Sequence, residues 1–195
     1  MKKHILFFSI PLILGNMLQQ LYNTVDSIVV GNFLGSEALA AVGSSSSLIM
    51  LLISFSMGAA AGAGVIVSQF IGAQNKKGIH ESVHTALAIA LILGVVLTAA
   101  GLILSPQILR WMGTPEEVMP QSITYLRLYF AGVIFSILYN MASGILNAVG
   151  NSKRALLYLA IASFTNIILD LLFIPVLKMG IAGAAIATDI SQLLS

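Results

Sequence analysis

Apolar and polar positions in this chain are grouped on the scale of whole membrane spans. A helix that crosses lipid needs roughly 20 mostly apolar residues. Five such stretches stand out, with a partial sixth, at about 5–33, 45–70, 84–105, 120–148, 155–177 and 182–195. Helix breakers gather between them, and Gly and Pro are the strongest punctuators of local structure. Gly31-Asn32-Phe33-Leu34-Gly35-Ser36 is expected to close the first helix, and Gly72-Ala73-Gln74-Asn75-Lys76-Lys77-Gly78 the second. Ser105-Pro106 and Thr114-Pro115 frame the passage from the third to the fourth. Gly150-Asn151-Ser152-Lys153-Arg154 follows the fourth, and Pro175 with Lys178-Met179-Gly180 ends the fifth. The sixth begins near Ala182 and has not crossed by Ser195. The expected fold is all-α: a polytopic membrane helix bundle, one transmembrane unit over residues 1–195, and a piece of a longer protein.

Two of these helices carry polar stripes. Asn16, Gln19, Gln20, Asn23 and Asp26 recur every three or four residues, so they line one helical face. Ser163, Asn166 and Asp170 do the same on the fifth helix. An Asp near the centre of a span costs about 2.5–3.5 kcal/mol to insert. Such residues face a bundle interior or a wet cavity. Asp26 and Asp170 are therefore the leading candidates for chemistry, with Asp189 a shallower third. A hydrogen-bonded seam between helices is the structural alternative, and it applies equally to Ser136, Asn140, Ser143 and Asn147 on the fourth helix. Gly58-x-x-x-Gly62 and Gly64 predict close helix packing. Pro11 predicts a kink, and Met50, Met57 and Met141 predict packing.

Composition turns this pattern into a membrane assignment. The chain is 58% hydrophobic and 8% charged, with mean hydropathy +0.99, against about 25% charged residues in soluble domains. Its nine Lys and Arg give a formal charge of +2 and lie mostly in the gaps between spans. That is a topological pattern, not an aromatic-interleaved basic patch, so nucleic acid is not an expected partner. Lys2, Lys3, Lys76, Lys77, Lys153 and Arg154 fall at the N-terminus and in alternate loops, while the opposite loops hold Arg110 and Lys178. The bias predicts a cytoplasmic N-terminus in the inner membrane. Asp26 and Asp170 then share the outer half of the bilayer. Arg127 should snorkel to the outer interface, where Trp111, Tyr125 and Tyr129 are also expected. Met1-Lys2-Lys3 before an apolar run imitates a signal peptide, but the run is too long and Ala38-Leu39-Ala40 too distant for cleavage. No cysteine is present, and His4, His80 and His84 are expected to form no metal site. No nucleophile elbow or Walker loop occurs, so neither an enzyme nor a bound cofactor is expected.

A buried carboxyl pair has a simple use. A carboxyl removed from water holds a proton more readily, whereas a nearby cation favours its ionised form. Two ligands that exclude each other at one site are the minimum for exchange.

Several segments resemble the multidrug and toxic compound extrusion (MATE) transporters. They are Ile10-Pro11-Leu12-Ile13-Leu14 through Leu21-Tyr22-Asn23-Thr24-Val25-Asp26, Val30-Gly31 to Gly35, and Ala38-Leu39-Ala40-Ala41-Val42-Gly43. Gln69-Phe70-Ile71-Gly72-Ala73, Leu146-Asn147-Ala148-Val149-Gly150-Asn151, Asn166-Ile167-Ile168-Leu169-Asp170 and Gly183-Ala184-Ala185-Ile186-Ala187-Thr188 follow in the family's order. The resemblance implies twelve helices in two lobes, of which this chain is most of the N-terminal lobe and lacks the C-terminal one. It implies exchange of protons or sodium for cationic, amphipathic compounds. By resemblance to the DNA-damage-inducible branch, Asp26, Asn166 and Asp170 bind the cation, with Gln19 and Thr188 beside them; Asn23 joins the candidate binding residues from the polar stripe of the first helix. A lipid-linked-sugar flippase of the same superfamily is the alternative. It would need cationic residues in the cavity for a pyrophosphate, and none is evident in mid-span.

Overall fold

The computed structural model describes residues 2–195; Met1 and the side chains of residues 2–9 and Leu12 lie outside the described set. The parts that Lys2, Lys3 and His4 play in the charge and metal expectations therefore fall outside it. Six helices follow one another: α1 (Lys2–Leu34), α2 (Ser36–Gly72), α3 (Lys76–Trp111), α4 (Met119–Ala148), α5 (Ser152–Leu171, continued by a π-helical turn at Leu172–Val176) and α6 (Ile181–Leu193). No strand occurs among the described residues.

Among the described residues, four helices are long and apolar enough to cross a membrane: α2, α3, α4, and α5 with its π turn. α6 is apolar but has 13 residues. α1, expected as another span, has 33 residues, and the apolar side chains at its start lie outside the described set. Its described part carries the polar stripe, which dilutes its hydropathy. The outer surface is strongly apolar, with Ile103 73% and Ile92 62% exposed. Side chains like these suit lipid, and the chain is a multi-pass membrane protein.

Three expected boundaries move. The loop over 31–36 shrinks to Gly35, whose φ of 86° lies in the left-handed region open to glycine. α2 therefore starts at Ser36 rather than near residue 45. Ser44, Ser45 and Ser46 do not unwind it, because each hydroxyl donates to the carbonyl four residues back. α3 starts at Lys76 rather than near 84, with the Asn75 side chain capping the Gly78 N–H at 3.0 Å.

At its other end α3 runs through Ser105-Pro106 to Trp111 instead of stopping. Proline removes the N–H that would bond to the carbonyl four residues earlier, here that of Leu102. Arg127 on α4 supplies the substitute: its Nε donates to the Leu102 carbonyl at 3.1 Å. Ser105 Oγ also donates back to the Gly101 carbonyl. Arg127 is thus exposed, yet bonded across to α3.

α4 is the hub. It packs against α2, α3 and α6, while α1 lies along α5 and α5 along α6. One apolar cluster joins Val29, Val30, Ala38, Ala41, Tyr125, Ile174 and Ala185. A second joins Leu52, Ala60, Ala90, Leu109, Leu126, Phe130 and Ile137. The expected Gly58-x-x-x-Gly62 contact does not form. Both glycines are exposed with open space around them, because the buried stripe of α2 runs through Leu52, Ser56, Ala60, Gly64 and Val67. The close crossing is instead Ala60 and Gly64 against Gly144 of α4, where an added Cβ would lie 2.8 Å from the Ala60 carbonyl oxygen.

Candidate functional site

The polar face of α5 is buried. Ser163 is 2% exposed, Asn166 1% and Asp170 0%. Asp170 sits at the end of the regular helix for a local reason. The N–H that would continue α-helical bonding to the Leu171 carbonyl belongs to Pro175, which has none. The backbone widens into the π turn, with Leu177 N donating to Leu172 O at 2.9 Å. Such single π turns recur at functional sites.

Asp26 reaches the same place from α1, and its carboxyl neighbours that of Asp170. No N–H or O–H donor reaches Asp26 Oδ1 or either Asp170 oxygen. Ionised carboxylates are acceptors only, and buried acceptors without donors are costly. A proton held between the two carboxyls, or a cation beside them, removes that cost.

One turn back, Asn166 Nδ2 donates to Thr188 Oγ1 on α6 at 3.4 Å, and Thr188 Oγ1 donates to the Ala184 carbonyl at 3.1 Å. Asn166 Oδ1 is buried and has no partner. The structure thus brings together Asp26, Asp170, Asn166 and Thr188 from α1, α5 and α6. Gln19 is half-buried beside Tyr22, which itself lies near Asp26. Asn23 is exposed, and no hydrogen bond ties its side chain to the pair. The stripe on α1 therefore divides: Gln19 and Asp26 are half-buried with Tyr22 between them, while Asn16, Gln20 and Asn23 are exposed.

Tyr125 and Tyr129 were expected at the membrane interface. Both are buried instead, 5% and 6% exposed, on the inner face of α4. Tyr125 lies near both carboxyls and near Tyr22 and Tyr129. The signal for this was the α4 spacing that Tyr125 and Tyr129 share with Ser122, Leu126 and Val133. Trp111, at the end of α3, is 77% exposed as an interface residue should be. Asp189 stands apart from the pair. Its carboxyl rests on α4 where Gly132 leaves room, since an added Cβ there would fall 2.0 Å from Asp189 Cγ.

No group of three or more metal-ligating side chains occurs among the described residues. His80-Glu81-Ser82-Val83-His84 has the His-Glu-x-x-His spacing, and the two Nε2 atoms lie 3.0 Å apart.

Residues 11–172 match the MatE family model. The probable multidrug resistance protein YpnP of Bacillus subtilis (strain 168) is 39% identical over 190 residues, covering 97% of this chain and 43% of that protein. The FAD transporter of Shewanella oneidensis is 28% identical over 195 residues, 98% of this chain and 43% of its own length. A MATE crystallised in the bent conformation superposes with a TM-score of 0.93 at 37% identity, over 99% of this chain and 43% of that one. The chain thus spans less than half the length of the relatives it matches. In sequence and in fold, it belongs to the MatE family.

Proposed function

We propose that this chain forms the N-terminal lobe of a two-lobe, cation-coupled antiporter in the cytoplasmic membrane, exporting cationic amphipathic compounds in exchange for protons or sodium. The observation that carries this reading is the Asp26–Asp170 pair, three of whose four oxygens are buried without a donor.

The exchange follows from the pair's chemistry. With one proton between them the carboxyls satisfy each other and carry a single negative charge. Loss of that proton leaves two like charges in a low-dielectric site, which a cation must offset. Sodium or an organic cation serves, and its arrival displaces the proton. Asn166 commits Nδ2 to Thr188, so its free Oδ1 is a neutral oxygen ligand for the arriving ion. Gln19 lines the Asp26 side of the site next to Tyr22.

Lys76, Lys77, Lys153 and Arg154 lie at the starts of α3 and α5, which supports a cytoplasmic N-terminus. One relative is named for FAD, which carries a pyrophosphate. Two carboxylates, with no Lys or Arg paired to them among the described residues, repel such an anion. The flippase reading is not favoured for the same reason.

Ethidium efflux from cells carrying the full-length parent tests the site. Asp26→Asn and Asp170→Asn should each reduce efflux to the level of cells without the transporter, at equal expression. Normal export by both variants would remove the assignment.

A further inference from the structure

We propose that His80 and His84 form a chelating site for one divalent transition-metal ion of the zinc, copper or nickel kind, on the exposed first turns of α3. Residues four apart lie on one side of a helix. Here the rings are tilted by 50° with centroids 4.2 Å apart, and the Nε2 atoms converge to 3.0 Å. A zinc–imidazole bond is about 2.0–2.1 Å long. Two such bonds at the right angles of tetragonal or octahedral coordination put their nitrogens about 3 Å apart. The pair therefore already has the separation of two ligands on one ion. Imidazole suits zinc, copper and nickel.

The platform is built rather than incidental. Asn75 caps the turn at Gly78 N, Ser82 Oγ donates to the Gly78 carbonyl at 2.7 Å, and Gly78 packs directly on the Phe70 ring. Both histidines line a shallow cleft with Lys76, Ile79 and Val83, so an ion can enter from solvent.

Glu81 does not complete the set. It is one residue on from His80, about 100° around the helix, and its carboxylate pairs with Lys77 at 3.7 Å. Water fills the remaining coordination positions. The same spacing in metalloproteases adds a third protein ligand, which no described residue supplies here, so the site binds an ion without hydrolysing a bond. It lies at the Lys76–Lys77 end of α3 and shares no residue with the carboxyl pair.

The test is calorimetric titration of Zn²⁺ into the full-length protein in detergent, purified without a polyhistidine tag. One saturable equivalent per chain should bind. His80→Ala and His84→Ala should each lose it, while Glu81→Gln keeps it. Substitution of Co²⁺ should give the weak visible band of a six-coordinate ion. Absence of saturable binding, or binding unchanged in both histidine variants, would overturn the site. Loss in Glu81→Gln, or an intense tetrahedral Co²⁺ band, would overturn the two-ligand geometry. Both histidines are exposed, so unchanged melting temperatures should accompany the loss.

Discussion

Asp170 and Asp26 are neighbours but do not share an environment. Asp170 is fully buried behind a π turn, while Asp26 is half-buried on a helix whose stripe divides between the interior and the surface. Both were legible in the chain because a carboxyl inside an apolar run has few places to go. Asn166 and Thr188 are less obvious, and the structure ties them by a bond at the long end of the range. Asn166→Ala should therefore lower the initial rate of ethidium efflux more than Thr188→Val does. The lost Asn–Thr bond is worth only about 1 kcal/mol, whereas Asn166 also carries the unpartnered oxygen. Tyr125 was not legible as a site neighbour, because tyrosine suits a membrane interface as well as a core. The His80–His84 spacing stands in the chain itself, but spacing alone does not say whether the two rings share a helix. Starting the helix at Lys76 puts both rings on one face.

At the scale of the element, sequence punctuation marked most junctions correctly and failed at Ser105-Pro106. Proline leaves one carbonyl without its donor, and a helix survives this when another group takes the bond. Arg127 does so from α4, a tertiary partner that no local pattern announces. Arg127→Leu should lower stability by about 1–3 kcal/mol, the cost of an unpaired polar group. Pro106→Ala should restore the helical bond to Leu102, making Arg127→Leu nearly neutral in that background. A double-mutant cycle of thermal unfolding in detergent measures this, and equal costs in both backgrounds would refute the link. Of the glycines expected to pack closely on α2, Gly64 does so and Gly58 and Gly62 do not. Spacing alone does not tell which stripe of a helix faces its neighbour, and the buried stripe passes through Ala60 and Gly64. Gly144→Val should accordingly cost about 1–3 kcal/mol by overpacking the α2–α4 crossing, while Gly58→Val changes stability little.

The whole molecule is organised around α4, with α2 and α3 on one flank and α6 leading to α1 and α5 on the other. Helix number and membrane class were readable from apolar runs and from the scarcity of charge. The arrangement was not, because hydropathy is silent on which helices touch. Asn16, Gln20 and Asn23 remain exposed on α1, a polar face costly to leave against lipid and suited to a cavity shared with a second lobe. Residues 1–195 expressed alone should therefore give no ethidium efflux, and co-expression with the remainder of the parent should restore it.

The coupling role of Asp26 and Asp170 is tested most directly in proteoliposomes of the full-length protein. Ethidium transport is driven there by an imposed proton gradient or, separately, by a sodium gradient. Wild-type protein should transport against one of the two gradients, and Asp26→Asn and Asp170→Asn against neither, with equal reconstitution. Gradient-driven transport at the wild-type rate in the doubly substituted protein would contradict it.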